Sequence, residues 1–197
     1  MSVAIKAIIG LGNPGAEYAA TRHNAGAWFV ENLARQSGVS LSPHKNFYGL
    51  YAKIILDGQE VHLLNPTTFM NRSGQAVAAL MKFYKLPLAS LLVAHDELDL
   101  APGIARFKQA GGHGGHNGLR DIIAHLANQK DFYRLRIGIG HPGSSDKVTG
   151  HVLKRAPASE QTLIEQALAA SHQALPWVLK GQWTQAMNQL HAFKAQS

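Results

Sequence analysis

Apolar residues run or alternate over residues 3–11, 48–56, 60–64, 91–95, 104–107 and 135–139, each stretch bounded by turn formers, and these are predicted strands. Between the second and third lies Asp57-Gly58, a pair suited to a tight hairpin because both positions tolerate positive φ. Helical spacing of apolar positions appears over residues 25–36, 75–84, 119–126 and 160–171, and again where Trp183, Met187 and Leu190 share one face. Strands and helices interleave without an internal repeat or a linker. The pattern predicts an α/β fold, a twisted mixed sheet with helices on both faces, in a single domain over residues 1–197.

Composition narrows the class without naming a chemistry. A chain of 197 residues with 46% hydrophobic and 16% charged content can bury a sizeable core and is ordinary for a globular protein. No apolar stretch approaches the length of a membrane span, and no charged leader precedes an apolar core, so neither a membrane nor a secretory signal is expected. The absence of cysteine removes disulfides and thiolate chemistry and fits a cytoplasmic protein. A net charge of +7 and a pI near 9.8 favour a polyanionic partner such as nucleic acid, although a basic surface that is merely soluble fits equally well.

Gly10, Gly12 and Gly15 in IIGLGNPG have the spacing of a dinucleotide-binding turn. The context disagrees. A polar stretch, AEYAATRHN, follows Gly15, so the helix is predicted to open near Asn24, and the next strand reaches an acidic residue only at Asp57, far beyond the expected distance. The glycines are instead expected to turn the chain after the first strand and carry Asn13 and His23 to the rim of the sheet.

Ligands of open α/β sheets bind beyond the carboxyl ends of the strands. Asn13 and the TRHN group follow the first predicted strand, Asn71 follows the third, Asp96 closes the fourth, and Asn117 opens the helix after the fifth. Taken singly, Asn24, Asn71 and Asn117 read as helix caps, Asn13 as a turn residue and His23 as an ordinary histidine. Their convergence on one rim gives the functional reading. His95, Asp96, Glu97, Asp99, His113 and His116 could be metal ligands, but no HExxH helix or cysteine pair accompanies them and no metal is expected. The chain has no GxSxG elbow for a serine nucleophile.

GLGNPGAEYAATRHNAG, NPTTFMNRSG, DELDLAPG, GGHGGHNGLRDI and RLRIGIGHPG occur in the order found in bacterial peptidyl-tRNA hydrolases, and the sequence closely resembles that family from about Ile5 into HAFKAQ. The resemblance implies hydrolysis of the ester between peptide and tRNA in peptidyl-tRNA, without a cofactor, by a cytoplasmic monomer. It implies that His23 is the general base and Asp96 its orienting partner. Asn13, Asn71 and Asn117 match substrate-binding asparagines with Met70 beside them, and Tyr18 and Phe69 match aromatic positions lining the site. Lys108 and Arg136 match the basic pair assigned to the tRNA 5′ phosphate, and His116 matches a position near the RNA. Asn13 also matches the position tied to preference for a blocked amine, and is expected to accept from the peptide N–H. Two residues depart from the family pattern: Ala110 stands where glycine is commoner, and Pro176 interrupts the approach to the last helix. A non-catalytic RNA-binding protein on the same scaffold is the alternative.

An ester needs only a water molecule activated by one neutral imidazole near pH 7. On that chemistry His23 takes the proton of water on one ring nitrogen while Asp96 accepts from the other. Asparagines suit the remaining contacts because they donate and accept without placing a charge beside a neutral ester.

Overall fold

The protein is described by a computed structural model over residues 3–197. Its described residues form one seven-stranded sheet and six α-helices. The strands are β1 (Ala7–Gly10), β2 (Ser42–His44), β3 (Gly49–Leu56), β4 (Gln59–Pro66), β5 (Leu91–Glu97), β6 (Ala105–Gln109) and β7 (Tyr133–Gly138), in spatial order β2-β3-β4-β1-β5-β7-β6. The central pairs β4/β1, β1/β5 and β5/β7 are parallel, and the outer pairs β2/β3, β3/β4 and β6/β7 are antiparallel. The mixed sheet with helices on both faces is the architecture expected from the pattern.

The central strands read as apolar runs because both faces are covered. Ile8, Leu92 and Ala94 point to one side, where Phe29, Val30 and Leu33 of α1 (Ala25–Gln36) meet Leu168 and Leu175 of α5 (Ala158–Leu179) and Trp183 and Leu190 of α6 (Trp183–Ala192). Ile9, Leu91 and Val93 point the other way, onto Val77 and Leu80 of α2 (Ser73–Phe83) and Leu119 and Ile122 of α3 (Asn117–His125). The β3/β4 hairpin closes at Asp57 and Gly58, whose φ values of 48° and 77° are those the tight turn requires.

Several elements differ from the sequence expectation. β1 is shorter than residues 3–11, since pairing starts only at Ala7. β2 and the short α4 (Val148–Val152) were not predicted, both being too brief to show a period. Pro176 does not interrupt the region before the last helix. It lies inside α5, which continues to Leu179 because Ala174, Leu175, Val178 and Leu179 are buried in the core and outweigh one lost backbone bond.

Two of the three glycines in IIGLGNPG are there for contact rather than for turning. A Cβ on Gly10 would strike Asn65 Oδ1 and the Gly26 carbonyl, and one on Gly12 would stand 2.8 Å from Asn24 Cγ. Gly15 alone of the three has a positive φ, 102°. These close approaches seat the start of α1 on β1 and β5, which fixes the 3-10 turn Arg22–Asn24 and so places His23.

Candidate active site

Asp96 is the next-to-last residue of β5, at the carboxyl ends of the parallel strands, and is 4% exposed. His23 arrives from the turn before α1 and donates from Nδ1 to Asp96 Oδ2 at 2.9 Å and Oδ1 at 3.1 Å. Its Nε2 therefore keeps its lone pair and borders a cavity of about 640 Å3. Burial by itself pulls the His23 pKa down, yet the Asp96 charge and hydrogen bond more than offset it, and the net shift is upward from 6.5. Burial pushes Asp96 up in turn, but His23 and then His116 overcome this and hold its carboxyl well below the usual carboxylate range.

His116 completes a second half of the same arrangement. Its Nε2 donates to Asp96 Oδ1 at 2.8 Å while its Nδ1 accepts from the Gly118 and Leu119 N–H groups, capping α3. The ring is thus locked in one tautomer by helix geometry on one side and a carboxylate on the other. His116, not Asn117, is the cap; Asn117 is the first residue of the helix, and its Oδ1 accepts from Arg120 Nη1 at 3.2 Å. One ligand atom from each of His23, Asp96 and His116 lies within 4.8 Å of the others, but hydrogen bonds already account for that grouping.

Asn24 also fails to cap its helix with its side chain. It grips Asn13 instead: Asn24 Oδ1 accepts from the Asn13 N–H at 2.8 Å, and Asn24 Nδ2 donates to the Asn13 carbonyl at 3.0 Å. Held in this way, Asn13 accepts from the Met70 N–H on Oδ1 at 2.7 Å. That bond identifies the oxygen, so the Asn13 Nδ2 group is the part left over for the cavity. Asn71 sits in the 3-10 turn Met70–Arg72 beside it and does not precede a helix as a cap.

All of the expected site residues except Tyr18 line the cavity: Asn13, His23, Phe69, Met70, Asn71, Asp96, Lys108, His116, Asn117 and Arg136. Tyr18 is not among the lining residues but stands edge-on to Phe69, with ring centres 6.4 Å apart. Lys108 is exposed, whereas Arg136 donates from Nε to Glu97 Oε1 at 2.8 Å. Burial pushes Glu97 up, but the Arg136 hydrogen bond and its neighbours outweigh it and leave its pKa lowered.

Three groups have roles that the sequence reasoning did not assign, His95 having been weighed only as a metal ligand. Asn24 was read only as a cap. His95, next to Asp96, is buried and donates from Nδ1 to the Asp96 carbonyl at 2.8 Å; burial, with His116 next, lowers its pKa to about 4, so it is uncharged at neutral pH. Arg134 borders the cavity from β7; it opens the RLRIGIGHPG motif, but no role was assigned to it from sequence.

The peptidyl-tRNA hydrolase family model matches residues 7–197. The chain belongs to this family. The peptidyl-tRNA hydrolase of Colwellia psychrerythraea is 62% identical over 192 residues, 98% of this chain and 99% of that one. The Vibrio vulnificus peptidyl-tRNA hydrolase is 59% identical over 196 residues, 100% of each chain to the nearest per cent. A crystal structure of peptidyl-tRNA hydrolase from Acinetobacter baumannii superposes with a TM-score of 0.93 at 52% identity, covering 96% of each chain. The α/β fold of this chain is therefore that of the peptidyl-tRNA hydrolase family, and the resemblance stated from the motifs holds over the full length.

Proposed function

We infer that this chain hydrolyses the ester joining peptide to tRNA in peptidyl-tRNA, with His23 as general base. The observation that carries this is the free Nε2 of His23 at a cavity wall, its Nδ1–H held by a buried carboxylate, in a chain of this family. Water gives a proton to His23 Nε2 as its oxygen attacks the ester carbonyl. The imidazolium is stabilised by Asp96 and returns that proton to the ribose 3′ oxygen as the tetrahedral intermediate collapses, giving a peptide acid and free tRNA. The bound position of Asn13 makes its Nδ2 a donor, suited to a peptide or ester carbonyl, in place of the acceptor role expected from sequence. Met70, Asn71, Asn117, Phe69 and Tyr18 bind the peptide and the 3′ end of the tRNA, and Lys108 and Arg136 meet the 5′ phosphate.

The direct test is release of labelled acyl amino acid from N-acetyl-aminoacyl-tRNA without added metal or nucleotide; no release above the spontaneous rate would reject hydrolysis. A non-catalytic RNA-binding protein would have no use for a carboxylate buried between two histidines. We also place the protein in the cytoplasm as a monomer, in keeping with the lack of cysteine and with the fact that no described helix is long and apolar enough to cross a membrane.

Asn13→Asp separates the two ends of the amide. The variant keeps an acceptor for Met70 but replaces the donor by a negative charge beside the ester, and kcat is expected to fall about 10²-fold, the range lost with one donor to a developing oxyanion. Single-turnover rates decide it, and wild-type rates in a folded variant would rule out a donor role. Lys108→Ala and Arg136→Ala are expected to weaken binding of intact tRNA and to lower the slope of log K against log salt by roughly one unit each. Short substrates without a 5′ phosphate should lose much less. Equal losses on both would remove the pair from phosphate binding.

A further inference from the structure

The loop joining β6 to α3, residues 110–116, is built from backbone conformations that few residues adopt. Ala110, Gly111, Gly114 and Gly115 have φ values of 63°, 114°, 57° and 84°. A Cβ on Gly112, Gly114 or Gly115 would meet nothing within 4 Å, so packing does little to hold this segment. Its first half is held by Arg134. Nη2 donates to the Gly111 carbonyl at 2.5 Å and the Lys130 carbonyl at 3.2 Å, and Nη1 to the Gly112 carbonyl at 2.7 Å. The guanidinium also lies 4.5 Å from the centre of the Phe132 ring.

This is a costly way to tether a loop. Arg134 is 2% exposed, directly opposite Lys108 across the β6/β7 pair, and takes part in none of the ion pairs among the described residues. A guanidinium withdrawn from water and faced by another cation is unfavourable, and a neutral side chain of similar volume would pack there at less cost. The carbonyl partners alone do not explain a charge at this place. Gly111 supplies the connection: a Cβ there would stand 3.0 Å from Lys108 Nζ, 3.1 Å from Lys108 Cε and 3.4 Å from Arg134 Nη1. The head of Lys108 thus rests on the backbone that Arg134 fixes, and both residues border the same cavity.

We propose that Arg134 is a positioning residue of the phosphate site: by holding the Gly111 and Gly112 carbonyls in its planar fork it sets the place of the Lys108 ammonium that receives the tRNA 5′ phosphate. The proposal rests on the assignment of Lys108 and Arg136 to that phosphate. Arg136 is partly neutralised by Glu97, which leaves Lys108 as the cation whose placement matters most. Arg134→Lys keeps the charge but cannot hold two successive carbonyls in one plane, and Arg134→Met removes charge and fork together.

The readout is the ratio of kcat/KM for N-acetyl-aminoacyl-tRNA carrying its 5′ phosphate to that for the same RNA after phosphatase treatment. Wild type is expected to favour the phosphorylated form about tenfold or more, the worth of a charge-assisted contact. Both variants should lower that ratio at least about threefold, chiefly through KM, with thermal melts confirming the fold. If Arg134→Met does not fold, the Arg134→Lys ratio decides alone. A wild-type ratio in Arg134→Lys would assign the effect to charge and overturn the positioning role, and equal losses on both RNAs would reduce Arg134 to a structural residue. A wild-type ratio near one would instead overturn the assignment of Lys108 and Arg136, and this proposal with it.

Discussion

His23→Ala is expected to lower the single-turnover rate of ester cleavage about 10²-fold or more, the range lost with a general base. His23 Nε2 carries the free imidazole lone pair while its Nδ1–H is held by the buried Asp96, and His116 cannot replace it because its two ring nitrogens are committed to α3 and to Asp96. Binding of tRNA should survive, since Lys108 and Arg136 reach the cavity from β6 and β7 and do not touch this turn. The substitution leaves Asp96 buried with one N–H donor from a histidine in place of two, so a stability loss of roughly 1–3 kcal/mol should accompany it. Thermal melts and tRNA titrations separate that cost from the chemistry. A folded variant retaining more than half of the wild-type rate would remove His23 from the role.

The same proton accounting sets the pH profile of the wild type. His23 works as a base only when Nε2 is unprotonated. With its pKa raised above 6.5 by Asp96, activity should fall as pH drops through a limb lying above 6.5. His95 cannot contribute a second limb there, because it stays neutral until about pH 4.

Much of this was legible in the chain. The apolar runs placed the central strands because parallel strands buried on both faces need uninterrupted Val, Ile, Leu and Ala, and α1 showed its period because one face, bearing Phe29, Val30 and Leu33, packs on the sheet. The rule that sites lie beyond the strand carboxyl ends brings Asn13, His23, Asn71, Asp96 and Asn117 together from sequence alone, and all five line the cavity. What was hidden depended on direction more than position. Spacing puts His116 next to Asn117 but does not tell which side chain turns back to cap the helix, and a cap that is also a catalytic neighbour looks like either one in sequence. Asn24 occupies the cap position and spends its side chain on Asn13. Pro176 marks a helix end by propensity, and only the burial of residues on both sides of it explains why α5 continues. Arg134 opens the RLRIGIGHPG motif, but nothing in the sequence gave it a role, because its meaning lies in the Gly111 and Gly112 carbonyls it holds.

Asp96→Asn should be as damaging as the loss of a catalytic group, and the hydrogen bonds around it say why. The carboxylate accepts from His23 Nδ1 and from His116 Nε2. An asparagine offers one oxygen and one NH2 group, so one of the two histidines must face a donor. His116 cannot yield without losing Nδ1 as the acceptor for both Gly118 and Leu119 N–H groups, so it keeps its tautomer and takes the Asn oxygen. The NH2 group then points at His23 Nδ1, which must accept. The His23 proton moves to Nε2, the atom that should take a proton from water, and the base is disabled by tautomer as well as weakened. The rate is expected to fall about 10²- to 10⁴-fold, the upper figure being the loss known for the equivalent change in a serine protease triad. Any residual activity should show its acidic limb at lower pH, because burial, the largest influence on His23, acts downward and is no longer opposed by the carboxylate. Nitrogen-15 spectra of histidine-labelled protein at alkaline pH read the tautomer directly. The wild type should show His23 protonated on Nδ1 and the variant on Nε2. A variant that keeps the Nδ1 proton, or whose rate stays within tenfold of wild type, would mean that His116 rearranges first and that Asp96 does not set the proton position on His23.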